Sequence, residues 1–200
     1  TDKKFVVVYP RGLMRQLRGQ ERGWESYTEN NTEDVDFFKE IVKELKKTYT
    51  VDDERIYLAG FSNGGMMAYK AAHQAGDFFA AFASVGGYPV NESHLFHAGS
   101  QPTPFIHIQG ADDTVFPSSD YDVNIIIHNM VYRNGAQFNP WSSGDGRVAQ
   151  DGGMITLTEA QGTKDCHSAE AGGAAYYFYK INGMGHTWNY SWDGVDGDDV

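Results

Sequence analysis

Cysteine is almost missing from this chain: Cys166 is the single one in 200 residues, so no disulfide can close within it. The redox compartment therefore leaves no mark in the sequence. A lone thiol reads as a structural or incidental side chain rather than a nucleophile, and His167 beside it does not change that, because adjacent side chains seldom face one another. Long apolar runs are missing too. No stretch approaches the roughly 18 residues a membrane span needs, and the acidic charge repels anionic membrane surfaces, so no membrane partner is expected. Thr1-Asp2-Lys3-Lys4 leads straight into a short apolar stretch without a small-residue cleavage site, so the chain reads as soluble and already free of a signal peptide. Positive charge is scarce, with 16 Lys and Arg against 27 Asp and Glu and a net charge of -11. A field of that sign repels phosphate backbones, which excludes nucleic acid as a partner. His-x-x-x-His and Glu-bearing helical ligand pairs are also lacking, so no metal is expected.

What is present is enough for one core. Apolar residues make up 40% of the chain and aromatics 14%, and without an internal repeat or linker the expectation is a single domain over residues 1–200. Phe5 to Tyr9 is a continuous β-favouring run closed by Pro10, the pattern of a parallel strand buried on both faces. From Asn31 to Tyr49, Val35, Phe38, Ile41, Val42 and Leu45 recur at helical spacing after a start signal at Thr32 to Asp34. Arg55 to Phe61 predicts a strand and Gly64 to Ala75 a buried helix. Ala80 to Gly87, Pro104 to Gly110, Met154 to Thr158 and Ala174 to Ile181 predict further strands, with a helix over Ser119 to Arg133 and a loop over 138–153. The alternation of strands and helices predicts an α/β layered sheet.

Between the second strand and its helix lies Gly60-Phe61-Ser62-Asn63-Gly64. A serine flanked by glycines two positions away, entered from a strand and left by a helix, is the pattern of a nucleophile elbow. The expectation is that both glycines are forced by the tightness of the turn. That geometry lifts the Ser62 hydroxyl above the sheet and aims the Asn63 backbone N–H at a developing oxyanion. A serine hydroxyl is a poor nucleophile at neutral pH and needs a base, itself oriented by a carboxylate. In this chain order the acid and then the base come downstream, each after a strand. His186 follows the last strand in a glycine-rich loop and is preferred among seven histidines. His107, inside a strand, reads as a satisfied core residue. Asp112 and Asp113 both follow the strand ending at Gly110, and spacing does not separate them.

These segments resemble the esterases related to polyhydroxybutyrate depolymerases, a group of the α/β-hydrolase superfamily that includes feruloyl and acetylxylan esterases. The resemblance runs in order through Phe5-Val6-Val7-Val8-Tyr9-Pro10, Asp34-Val35-Asp36-Phe37, Val51 to Tyr57, Gly60 to Gly65, Ile108 to Pro117 and Gly183-Met184-Gly185-His186-Thr187-Trp188. It implies a Ser62, Asp113, His186 triad, because the group's acid stands three residues after the glycine matching Gly110. It also implies cofactor-free cleavage of carboxylic esters and a secreted or periplasmic setting. Members of the group carry an earlier strand and a His-Gly loop giving a second oxyanion donor, and continue into a last helix. The expected fold is therefore an α/β-hydrolase sheet lacking its first strands and last helix, a domain truncated at both ends. Relatives often pair a cysteine near Cys166 with one near Ala136, a bridge this chain cannot make.

Three functions are carried forward. The first is hydrolysis of feruloyl or acetyl esters, small or polysaccharide-linked, with Trp24 and Trp188, and more distantly Trp141 and Trp192, as a platform for an aromatic acyl group or sugar; ordinary packing is the competing account of each tryptophan. The second keeps the chemistry and changes the substrate to a polyester such as polyhydroxybutyrate or to small esters generally, since acyl specificity lies in loop shape. The third is a catalytically silent ligand-binding remnant.

Overall fold

The computed structural model describes residues 5–16, 20–89, 102–117, 162–167 and 173–188, with 125–126, 129–130 and 132–134. Its elements in chain order are β1 (Leu13–Gln16), β2 (Gln20–Gly23), α1 (Glu33–Lys46), a single 3₁₀ turn (Asp53–Arg55), β3 (Tyr57–Phe61), α2 (Asn63–Gln74), β4 (Ala81–Val85), β5 (Phe105–Gly110), β6 (Gly162–His167) and β7 (Tyr176–Ile181). β1 and β2 form an antiparallel hairpin. Among the described residues the other five strands make one sheet in the order β3-β4-β5-β7-β6, parallel from β3 through β7, with β6 antiparallel at its end. The fold is thus the expected α/β class. Among the described residues no helix is long and apolar enough to cross a membrane.

Register decides where the site lies. Phe61 pairs with Val85, Val85 with Ile108, and Gly110 with Ile181, so the carboxyl ends of the parallel strands finish together along one edge. Ser62, Gly86, Asp112 and Asp113, and the turn before His186 all hang from that edge, the side on which open parallel sheets build their sites.

The main core forms where α1 and α2 pack on one face. Val35 and Phe38 of α1 and Met67, Tyr69 and Ala72 of α2 meet Phe82, Phe105, Tyr176 and Phe178 of the sheet, with Ile126 and Met130 closing the cluster. Tyr69 stacks on Phe105 at 4.3 Å between ring centroids. On the other face Val85, Tyr179, Ile181 and Met184 pack with Phe61, Ile106 and Ile108. Alternation along β5 therefore sends Phe105, His107 and Gln109 toward the helices and Ile106 and Ile108 the other way.

The helices and strands predicted at Asn31–Tyr49, Arg55–Phe61, Gly64–Ala75, Ala80–Gly87, Pro104–Gly110 and Ala174–Ile181 are all present, most with tighter ends and α2 shifted one residue toward Ser62. Thr32 holds the N-cap position of α1, but its hydroxyl donates to Asp36 Oδ2 at 2.7 Å instead of capping. Within Ser119–Arg133 the described residues are helical up to Arg133, with Ile126 and Met130 buried. The loop at 138–153 and the strand at Met154–Thr158 lie outside the described residues.

One expectation is overturned. Phe5 to Tyr9 is not a buried strand: these residues form no ladder, and Phe5 and Tyr9 are 81% and 89% exposed. An apolar run is buried as a central strand only when strands pair along both its edges. Among the described residues the sheet ends at β3, and nothing pairs with this segment.

Candidate active site

Ser62 joins β3 to α2 with φ 55° and ψ -119°, and among the described residues it is the only non-glycine with positive φ. Such a conformation costs on the order of 1–3 kcal/mol and persists only where the surroundings enforce it. Here the enforcement is visible. The Ser62 N–H donates to Val85 O at 2.9 Å, extending the β3–β4 ladder by one residue, while its carbonyl accepts from Met66 N at 3.0 Å and opens the helix. A Cβ on Gly60 would overlap the Gly64 carbonyl, and one on Gly87 would overlap the Ser62 carbonyl. The expectation that both elbow glycines are forced holds for one of them only. A Cβ on Gly64 would meet nothing nearer than Trp24 Nε1 at 3.9 Å, an ordinary van der Waals contact.

The Asn63 side chain braces the elbow from the other side. Its Oδ1 accepts from Trp24 N at 2.6 Å, and its Nδ2 donates to Trp24 O at 3.1 Å and Ser26 Oγ at 2.9 Å. Its backbone N–H, in the first turn of α2, has no acceptor within the helix and lies at the positive end of the helix dipole. Trp24 sits beside Gly64 with its ring edge-on to Phe38 at 5.0 Å, packed against the main core. Trp188 is different: 52% exposed, it stands edge-on to Phe61 at 6.3 Å, two residues beyond His186. Trp141 and Trp192 lie outside the described residues.

His186 enters from the turn after β7. That turn uses Gly183 at φ 74°, and it is tied to the loop after β5 by Asp112 N to Met184 O at 3.0 Å and Ala111 N to Ile181 O at 2.8 Å. A Cβ on Gly110 would overlap the Met184 carbonyl, so the two loops approach this closely only over a glycine. The imidazole lies between Phe61, 4.7 Å away, and Phe116, stacked at 5.8 Å. Its Nε2 is 2.9 Å from Ser62 Oγ and its Nδ1 is 2.9 Å from Asp113 Oδ2. With a carboxylate at Nδ1 that nitrogen carries the proton, leaving Nε2 of the neutral ring as an acceptor facing the hydroxyl.

Asp112 and Asp113 part company here. Asp112 is exposed, whereas the Asp113 side chain is fully buried. Asp113 Oδ1 accepts from Val115 N and Phe116 N, each at 2.8 Å, and Oδ2 accepts from Gln109 Nε2 at 3.1 Å and from His186 Nδ1. Four N–H donors occupy both oxygens of this buried carboxylate and hold its plane. The arrangement brings Ser62, His186 and Asp113 together as a contiguous hydrogen-bonded row. Cys166 lies in strand β6, in register with Tyr177.

His107 lies inside β5 and is fully buried, its ring bonded to Tyr69 Oη at 2.6 Å and Gln109 Oε1 at 3.1 Å. Burial pushes its pKa down from 6.5 to about 4. The fold therefore holds the neutral ring, while the unfolded chain takes up the proton as pH falls below about 6.5. Stability linked to His107 is complete above pH 6.5 and is lost between there and pH 4, on the order of 3 kcal/mol. Urea midpoints measured from pH 7 to pH 4 are expected to fall across this window, and to fall less steeply in His107→Gln.

Comparison with known proteins follows the same lines. A model of the prolyl oligopeptidase family matches residues 1–100. A bifunctional acetylxylan esterase/xylanase of Neocallimastix patriciarum is 36% identical over 113 residues, covering 56% of this chain and 15% of that protein. A putative esterase of Nocardia uniformis subsp. tsuyamanensis is also 36% identical, over 108 residues, 50% of this chain and 31% of the other. Feruloyl esterase B of Piromyces equi is 26% identical over 163 residues, 78% of this chain and 29% of that one. The chain thus spans less than a third of the length of these relatives. Among solved structures, Arabidopsis thaliana SOBER1 superposes with TM-score 0.53 at 14% identity, covering 91% of this chain and 76% of its own. An acetyl xylan esterase from Aspergillus awamori superposes with TM-score 0.52 at 15% identity, covering 86% and 70%. These likenesses are of fold, and the fold is that of the α/β-hydrolases.

Proposed function

The chain belongs to the prolyl oligopeptidase family, and from that premise we propose that it is a serine carboxylic ester hydrolase acting through Ser62, His186 and Asp113. The observation that carries the reading is the continuous row from Ser62 Oγ to His186 Nε2 and from His186 Nδ1 to Asp113 Oδ2, each step 2.9 Å. His186 takes the Ser62 proton as Oγ attacks the ester carbonyl, and the tetrahedral oxyanion forms at the N-terminus of α2, where the Asn63 backbone N–H donates to it. His186 then protonates the departing alcohol. Water, deprotonated by the same imidazole, releases the acyl group from Ser62. Asp113 keeps Nδ1 protonated throughout, so that Nε2 stays the working nitrogen. No step calls for a metal or an organic cofactor.

For the substrate, the relatives' names support feruloyl and acetyl esters, small or linked to polysaccharide. Half-exposed Trp188 beside the Phe61–His186 contact supplies a flat apolar wall on which an aromatic acyl group or a sugar ring stacks. Trp24 contributes by shaping the elbow rather than by touching substrate, given its packing on Phe38. A secreted or periplasmic setting belongs to the same reading. The family's peptidase name raises amide cleavage as a comparison, because the same triad attacks either carbonyl. Rates on nitrophenyl acetate, methyl ferulate, a proline-containing peptide anilide and polyhydroxybutyrate granules test the choice. The first two are expected to turn over and the last two to stay at background; clearing of granules would move the substrate to a polyester, and anilide release without ester hydrolysis would overturn the esterase assignment.

A further inference from the structure

Behind Asp113 lies a buried polar chain that the triad chemistry does not itself require. Period-two alternation along β5 puts His107 and Gln109 on the same face, and both are wholly buried. Gln109 Nε2 donates to Asp113 Oδ2 at 3.1 Å and to Phe116 O at 2.8 Å. Its Oε1 lies 3.1 Å from His107 Nε2. His107 Nδ1 is 2.6 Å from Tyr69 Oη, and Tyr69 Oη is 3.0 Å from Tyr176 Oη. The row thus joins α2, β5 and β7 to the loop that holds the acid.

The proton positions follow from counting donors and acceptors. Asp113 Oδ2 and Phe116 O are both acceptors, so the Gln109 amide must turn its NH₂ to them and its oxygen to His107. An amide oxygen only accepts, so His107 Nε2 carries the ring proton and Nδ1 accepts from the Tyr69 hydroxyl. Tyr69 has a single proton, already given to His107, so Tyr176 donates to Tyr69. Every bond from Tyr176 to Asp113 then points the same way, and reversing any one of them would set two acceptors or two donors face to face, at the cost of an unsatisfied buried group.

We propose that Gln109 is the positioning residue of the Asp113–His186 pair, and that Tyr176, Tyr69 and His107 behind it fix the direction in which its amide points. Gln109 acts in two places at once. It holds the carboxylate oxygen that faces His186, and through Phe116 O it holds the loop whose Val115 and Phe116 N–H groups grip the other oxygen. The Phe116 ring stacked on His186 is carried by that same loop. The proposal rests on the reading of Ser62, His186 and Asp113 as the catalytic row.

Turnover of nitrophenyl acetate by Gln109→Leu, Tyr69→Phe and the double variant tests it. Gln109→Leu is expected to lower kcat about 10- to 100-fold with KM within about twofold, since misplacing a reacting group costs rate rather than affinity. Tyr69→Phe deletes one hydroxyl and frees His107 to change tautomer, so kcat should fall about 3- to 10-fold. Because Tyr69 acts through Gln109, the double variant should be no slower than Gln109→Leu alone; independent structural damage would instead add. A second readout needs no turnover. Nitrogen-15 spectra of histidine-labelled protein should give His107 as the Nε2–H tautomer, with an Nδ1–H population appearing in Tyr69→Phe. Undiminished kcat in Gln109→Leu, additive losses, or an Nδ1–H ring in the unsubstituted protein overturns the proposal, and if Gln109→Leu does not fold, Tyr69→Phe and the tautomer decide it. An unsubstituted chain no faster than Ser62→Ala overturns the esterase reading instead, and the tautomer still decides the orientation of the relay.

Discussion

Ser62→Ala is expected to lower kcat on nitrophenyl acetate by on the order of 10⁴- to 10⁶-fold while leaving the thermal midpoint within a few degrees of the original. A triad serine works as a unit with its base, so deleting it removes nearly all that the row contributes and leaves only oxyanion stabilisation and binding. The small effect on folding follows from the backbone. Positive φ at this position is enforced by the Val85 O and Met66 N hydrogen bonds and by the overlap a Cβ on Gly60 or Gly87 would meet, none of which uses the hydroxyl. Alanine tolerates φ 55° no better than serine, so a modest loss or no change in stability is the expectation, set against a collapse in rate. A variant that keeps more than about a tenth of the rate would remove Ser62 from the mechanism.

The second large effect is expected at the acid. Asp113→Asn should cost about 10⁴-fold in kcat, whereas Asp112→Asn should stay within about twofold of the parent. The difference lies in the donors. All four hydrogen bonds at Asp113 arrive as N–H groups, from Val115, Phe116, Gln109 and His186, so an asparagine has nowhere to put its own NH₂ without facing another donor. Turned toward His186, it makes Nδ1 an acceptor, moves the ring proton to Nε2, and leaves the base unable to take the Ser62 proton. Turned the other way, it breaks both loop hydrogen bonds. The side chain of exposed Asp112 makes none of these hydrogen bonds, and its backbone N–H to Met184 O is kept in the variant. Equal losses in the two variants would return the choice of acid to where residue spacing left it.

Much of this site is legible in the residues because its parts are local. The β3–Ser62–α2 elbow is written in a short apolar strand, glycines around a serine and an Ala- and Met-rich helix, and each of those signals acts over a few residues. His186 could be chosen among seven histidines for a similar reason, since it follows the last parallel strand in a glycine turn. Asp113 could not be separated from Asp112 by spacing, because neighbours in a loop point in directions set by the turn; the family resemblance preferred Asp113, and it is Asp113 whose carboxylate the Val115 and Phe116 amides draw inward.

Other features depend on partners distant in the chain, and there the sequence falls silent. Phe5 to Tyr9 has the composition of a central strand, yet composition reports β-propensity and not the neighbours that would bury it. The hairpin β1–β2 and the edge strand Gly162–His167 lack apolar alternation, so no period marks them. Gln109 lies within Ile108 to Pro117, but nothing local marks it, since its contacts arise only once β5 aligns it with His107 and folding brings Tyr69, 38 residues before His107, onto that ring. The one available signal was the pairing of two polar residues, His107 and Gln109, on the inward face of an otherwise apolar strand.

Esterase chemistry at this site requires Ser62 to be an activated nucleophile in the folded chain. The most direct measurement is intact mass and peptide mapping after reaction with a fluorophosphonate at neutral pH. A single phosphonyl adduct is expected on the peptide containing Ser62, formed by the folded protein, lost on unfolding and absent from Ser62→Ala. No adduct on the folded chain, or an adduct on a different residue, would contradict it.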